Sequence, residues 1–127
     1  MDLEYIQTTL PKLHGWCTVV KATHLYNLVL ELKNPVCVEL GVFAGRSLLP
    51  IALGARATNG YAVGIDAWTQ EACEEGINDI ANTEWWRNVD YNFFYEYTAK
   101  VILDAGLSDM TKSVSYTHLT LPTNREV

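Results

Sequence analysis

Cysteine, histidine and methionine are scarce in this chain, with three, three and two among 127 residues. Cys17, Cys37 and Cys73 are odd in number, and none shares a CxxC spacing with another cysteine or with a histidine. A disulfide framework or a zinc site is therefore not expected, and the thiols are expected to be free and buried. Long apolar runs are missing as well, since none reaches the ~18–20 residues that cross a bilayer. The start of the chain, Met1-Asp2-Leu3-Glu4-Tyr5, lacks the basic-then-apolar layout of a secretion signal. These absences together lead us to expect a cytoplasmic protein with no membrane contact. Positive charge is short too: nine Lys and Arg against 15 Asp and Glu leave a net charge of -6. A face that neutralises phosphates needs clustered basic residues, so a nucleic-acid partner is not expected.

What is present suffices for one small packed domain. Hydrophobic residues make up 49% and charged residues 19%, a balance that buries a core and argues against disorder. Residues 3–16 form a leader that Pro11 and Gly15 interrupt, expected as a short helix followed by a loop. Between 18 and 32, Ala22, Leu25, Tyr26, Val29 and Leu32 recur at helical spacing, and Asn34-Pro35 stops that helix. Val36-Cys37-Val38-Glu39-Leu40 is short and β-branched, expected as a strand buried on both faces. A glycine-bounded turn (41–45) leads to a helix over 46–57, with Pro50 near its first turn. Residues 61–66, Tyr-Ala-Val-Gly-Ile-Asp, read as a second buried strand, which completes a βαβ unit.

Beyond Trp68 comes a polar connection with Glu71, Glu74, Glu75 and Asp79, expected as a solvated loop. A long helix is then predicted over 84–107, ending near Gly106, with Trp86, Val89, Phe93, Tyr97 and Val101 along one side as core packing. Residues 110–113 lead into a third strand. The expected fold class is α/β: a truncated, doubly wound, Rossmann-like parallel sheet with a short helical leader. The expected division is a leader (1–17), the first part of a catalytic domain (18–113) and a tail (114–127).

Chemistry concentrates where strands end. Glu39 closes the first strand, Gly41 lets a backbone approach a ligand closely, and Gly45 permits a tight turn into the helix. Ser47 is placed to cap that helix or to hydrogen-bond at its start. Asp66 closes the second strand, where its two oxygens suit the two hydroxyls of a ribose. Ligands in doubly wound sheets bind at this carboxyl edge. The bare spacing leaves three readings open: a methyltransferase, an NAD-binding oxidoreductase, and a non-enzymatic nucleotide-binding module. Phe43 stands where a dinucleotide fingerprint asks for glycine, which weighs against the second.

VELGVFAGRS followed by VGIDAW resembles the first two motifs of class I S-adenosylmethionine-dependent methyltransferases. The form Glu-x-Gly-x-x-x-Gly-x-Ser, together with LPKLHGW and NTEWW, is similar to a bacterial subgroup of that family. The resemblance covers roughly residues 5–107 and implies S-adenosyl-L-methionine as cofactor. It implies that Glu39, Gly41, Val42, Phe43, Ala44, Gly45, Arg46 and Ser47 surround the methionine portion. Asp66 would then take the ribose, and Ala67 and Trp68 would border the adenine. Arg46 is expected to meet substrate or a structural carboxylate. His14 and His24 are expected at the surface. The implied reaction is methyl transfer to a small-molecule acceptor, to oxygen in preference to nitrogen. A divalent metal is compatible with the acidic stretch but is not supported by any ligand set, and no catalytic residue is named.

Residues 114–123, VSYTHLTLPT, match letter for letter the translation of a transposon adapter used in sequencing libraries. The reading frame extends to Ser113 on one side and to a stop after Val127 on the other. The tail is therefore excluded from functional reasoning, as a fusion scar would be. Natural sequence is expected to end at Lys112 or within the codon for Ser113, and a chain cut there is expected to be inactive.

Overall fold

Thr18 starts the first long helix, its side-chain oxygen accepting from the Lys21 backbone N–H at 3.2 Å. Asn34, held at φ 47°, and Pro35 end the turn that follows. This local chemistry recurs through the computed structural model, which describes residues 1–69 and 80–115. The acidic stretch 71–79 with Cys73, and residues 116–127, lie outside the described residues. In chain order the elements are α1 (Asp2–Thr9), a 3-10 turn (Leu10–Lys12), α2 (Val19–Leu30), β1 (Val36–Leu40), α3 (Leu48–Ala57), β2 (Tyr61–Asp66), α4 (Ile80–Arg87), α5 (Tyr91–Asp104) and β3 (Thr111–Ser115).

The three strands form one parallel sheet in the order β1-β2-β3, with Val36 opposite Tyr61 and Ala62 opposite Thr111; the last two residues of β3, Val114 and Ser115, belong to the adapter-like tail. Helices alternating with parallel strands make this a Rossmann-like α/β fold with a helical leader, as the sequence pattern predicted. A single core joins Ile6 and Leu10 of the leader to Ala22, Tyr26 and Val29 of α2. It continues through Leu48, Leu49 and Leu53 of α3 to Val101 and Ile102 of α5. The core includes Ala62 of the sheet, with Cys37 packed against it; of these helices α3 and α5 pack on the sheet, while α2 packs on α3 and α1 on α2. Gly64 lets them come close: a Cβ there would sit 2.7 Å from Leu48 Cδ2 and 2.9 Å from Val42 Cγ2.

Three expectations are corrected. β1 is not buried on both faces: Val36, Val38 and Leu40 are 72%, 57% and 65% exposed. Among the described residues β1 pairs only with β2, and the helices cover only the opposite face. The helix expected over 84–107 is two helices. Asp90, at φ -85° and ψ 95°, leaves helical geometry and caps α5 by accepting from the Phe93 N–H at 3.0 Å. Helical periodicity runs through the break because both segments present aromatics to the same neighbours. Leu32, counted on the buried face of α2, lies beyond the end of that helix and is 51% exposed. No helix among the described residues is long and apolar enough to cross a membrane.

Replacing Asp90 with alanine should cost about 1 kcal/mol, the usual value of an N-cap carboxylate. Urea denaturation followed by circular dichroism measures this. Unchanged stability would show that the break between α4 and α5 does not depend on the cap.

Candidate functional site

Parallel register brings the two acidic strand ends together. Glu39 lies opposite Gly64, and Gly41 donates to the Ile65 carbonyl at 2.8 Å, so Asp66 follows directly beside the 41–45 loop. Because side chains alternate, Glu39, Gly64 and Asp66 share one face of the sheet. Both carboxylates therefore sit at the carboxyl edge on the helix-covered side, where an open α/β sheet binds its ligands.

Asp66 is largely committed to the protein. Its Oδ2 accepts from the backbone N–H groups of Val42 and Phe43, both at 2.8 Å, and its Oδ1 accepts from the Trp68 N–H at 2.9 Å. A carboxylate offers about four acceptor positions, so about one, on Oδ1, is left for a ligand hydroxyl. The sequence reading had both oxygens free for a ribose. What the sequence did not reveal is that the turn aims its own amides at this side chain. The loop needs that hold, since Phe43 has φ 56°, a left-handed conformation costly for a bulky residue. One further group fixes it, the Trp68 indole N–H, which donates to the Phe43 carbonyl at 2.7 Å; the Thr98 hydroxyl, whose shorter acceptor is the Phe94 carbonyl at 2.9 Å, also lies 3.2 Å from that oxygen. Trp68 is 6% exposed and stands edge-on to Tyr95. It thus braces the loop and offers little open ring face to a base. Ala67 is buried beside it.

Glu39 is committed on one side only. Its Oε2 accepts from the Ser47 hydroxyl at 2.5 Å, while its Oε1 is buried without a hydrogen-bond partner. Ser47 stands at the N-cap of α3 but uses its hydroxyl on Glu39 and caps nothing. Burial pushes the Glu39 carboxyl up to about 6, with Asp66 adding to the rise and the Ser47 hydrogen bond opposing it. Gly41, at φ 84°, has open space where a side chain would stand. Gly45, at φ 86°, packs against α5, where a Cβ would lie 3.2 Å from Thr98 Cγ2. Val42 and Ala44 are buried and anchor the turn.

Arg46 pairs with no carboxylate among the described residues and instead holds two backbone carbonyls. Its Nε donates to the Cys17 carbonyl and its Nη1 to the Leu13 carbonyl, both at 2.6 Å, which ties the leader to the residue after the loop. The other end of the leader is held by Asp2, which pairs with Arg56 at 3.3 Å and accepts from the Tyr26 hydroxyl at 3.0 Å. So anchored, the leader lays Trp16 beside Phe43, with ring centroids 5.2 Å apart. Trp85 and Trp86 of α4 and Phe94 of α5 complete an aromatic cluster around Phe43. His14 is exposed, as expected, and meets Phe93, Phe94 and Tyr97 edge-on.

The structure brings the residues named at the site together around the 41–45 loop, and Arg46 and Trp68 brace that loop. Sequence reasoning missed Thr98 and Trp16. Thr98 is a buried polar residue among aromatics on a helix, a weak signal in hindsight. Trp16 lies in a leader with no periodicity to mark it. Among the described residues no group of three or more His, Cys, Asp or Glu side chains is placed to hold a metal ion. The chain matches no protein family and no curated protein.

Two predictions follow from the carboxylates. A carboxyl whose folded pKa is raised binds its proton more tightly in the folded state. Glu39 therefore weakens the fold when ionised and strengthens it as pH falls from about 6 towards the ordinary value of 4.5. Glu39→Gln should remove that dependence and stabilise the protein at pH 7 by about 1–2 kcal/mol. Urea denaturation at pH 5 and pH 7 tests this; wild-type stability that rises across the interval would contradict it. Asp66→Asn keeps one acceptor oxygen but loses the charge and the Trp68 contact. It should cost about 1.5–3 kcal/mol, and an unchanged denaturation midpoint would remove Asp66 as the holder of the loop.

Proposed function

We propose that the 41–45 loop and Glu39 bind S-adenosyl-L-methionine, and that the domain serves methyl transfer to a small-molecule acceptor. The observation that carries this reading is the buried, unpartnered Oε1 of Glu39 beside a glycine turn with open space. A buried acceptor without a donor is costly, and an ammonium group supplies the missing N–H together with a positive charge. The residues fit such a cofactor at Glu39 and Gly41, and in part at Asp66, where one acceptor position remains.

Asp66 also favours a cationic ligand over a pyrophosphate. In a dinucleotide site the amides of the glycine turn face the phosphates. Here the Val42 and Phe43 amides are already taken by a carboxylate. An incoming phosphate would have to displace that carboxylate and face its charge. This argues against an NAD-binding oxidoreductase.

When bound, the cofactor supplies a methyl group on a sulfonium. The acceptor would be an oxygen nucleophile that gives up its proton in the exchange, and Glu39 with the 41–45 loop would hold the cofactor for it. Glu39 and the loop orient and hold, which is the main contribution a protein makes to an in-line displacement. Arg46 and Trp68 keep the loop in place for that role.

Calorimetric titration of the chain with S-adenosylmethionine, and separately with NAD, tests the reading. The first should bind and the second should not. Glu39→Gln should weaken S-adenosylmethionine binding by about 1.5–3 kcal/mol, the scale of a hydrogen bond to a charged group, even though the same substitution is expected to stabilise the fold. Equal affinity in the variant, or preference for NAD, would overturn the proposal.

A further inference from the structure

Helix α2 has two working faces, and only one is used by the core. Ala22, Tyr26 and Val29 are buried, while Val20, Lys21, His24 and Leu25 share another side at spacings of three and four. This second side, with Trp16, Cys17 and Ser47, lines an open groove of about 520 Å³. That volume is in the range that takes a small molecule. Its wall is mostly apolar, yet Val20 is 80% exposed and Trp16 65% exposed. Nothing among the described residues covers them.

We propose that this groove binds a small aromatic carboxylate. The indole of Trp16, which meets Phe43, Trp85 and Trp86 yet stays 65% exposed, shares the lining with Val20 and Leu25 and suits an aromatic body. Lys21 gives one permanent positive charge at the groove and makes no ion pair among the described residues. His24, one turn further along α2, adds ring nitrogens for a second polar contact. One lysine in a mostly apolar wall matches a single negative charge, whereas a dianionic phosphate would leave charge uncompensated. The local sign matters because the chain as a whole carries -6, which repels anions elsewhere on its surface. Ser47, at the inner end of the groove, donates to Glu39. A ligand here would thus lie one hydrogen bond away from the carboxylate of the neighbouring site. The inference stands on the groove alone and does not depend on methyl transfer.

The test is a titration of the full chain, without cofactor, by 3-phenylpropanoate and by its neutral counterpart 3-phenylpropanol, followed by nuclear magnetic resonance. The carboxylate should shift resonances of Trp16, Lys21 and His24, and the alcohol should bind about three to five times more weakly, the factor an exposed charge contributes. Lys21→Gln, at an exposed side chain whose loss leaves the core intact, should weaken the carboxylate by the same factor and leave the alcohol unchanged. Lys33→Gln, beyond the end of the same helix, should change neither. Excess S-adenosylmethionine should leave the probe in place. Absence of binding, equal affinity for acid and alcohol, or an unaffected Lys21→Gln variant would overturn the proposal. Displacement by S-adenosylmethionine would also overturn it, by making the groove part of the 41–45 site.

Discussion

The carboxylate of Asp66 receives three backbone N–H groups, two from the 41–45 loop and one from Trp68. Much of the molecule depends on that convergence. It allows Phe43 a left-handed backbone, which carries the Phe43 ring into the aromatic cluster with Trp16, Trp85, Trp86 and Phe94. It also leads the chain into Gly45 and Arg46, and Arg46 in turn holds the leader. A side chain at the end of one strand thereby governs a loop, a helix start and the placement of the first 17 residues.

The two carboxylates at the carboxyl edge differ in their surroundings and so in their chemistry. Asp66 is surrounded by donors that are part of the backbone, and its role is structural first. Glu39 has one donor, Ser47, and one buried oxygen with none, and burial holds its carboxyl up at about 6. The difference lies in the neighbours: backbone amides surround Asp66, whereas Glu39 meets one hydroxyl. The instability that Glu39 brings to the fold near neutral pH is the cost of burying a carboxylate oxygen without a donor.

The sheet is covered on one side only. Val36, Val38 and Leu40 present an exposed apolar row on the face that Tyr61, Val63 and Ile65 share by register. Such a surface is unusual in a monomeric soluble domain and favours association. It lies opposite the helices and so away from the groove on α2 and from Glu39. The candidate sites are thus assembled entirely on the packed side of the sheet, where helices hold them in place.

The sequence by itself determined the local elements and their order. β-branched runs made the strands, Thr18 and Pro35 bounded α2, and glycines marked the turn between Glu39 and Arg46. It also placed Glu39 and Asp66 at strand ends, because strand period and chain direction are local properties. Tertiary structure alone decided what those residues do. The lone pairs of Asp66 are occupied by amides 23 and 24 residues earlier in the chain, and Arg46 finds its acceptors in the leader. The exposure of β1 was settled the same way, by which face the helices cover, whereas the break at Asp90 is local, set by a carboxylate that caps an amide three residues on. Hydrogen-bond saturation and burial are sums over neighbours brought in from distant sequence, and no periodicity along the chain encodes them.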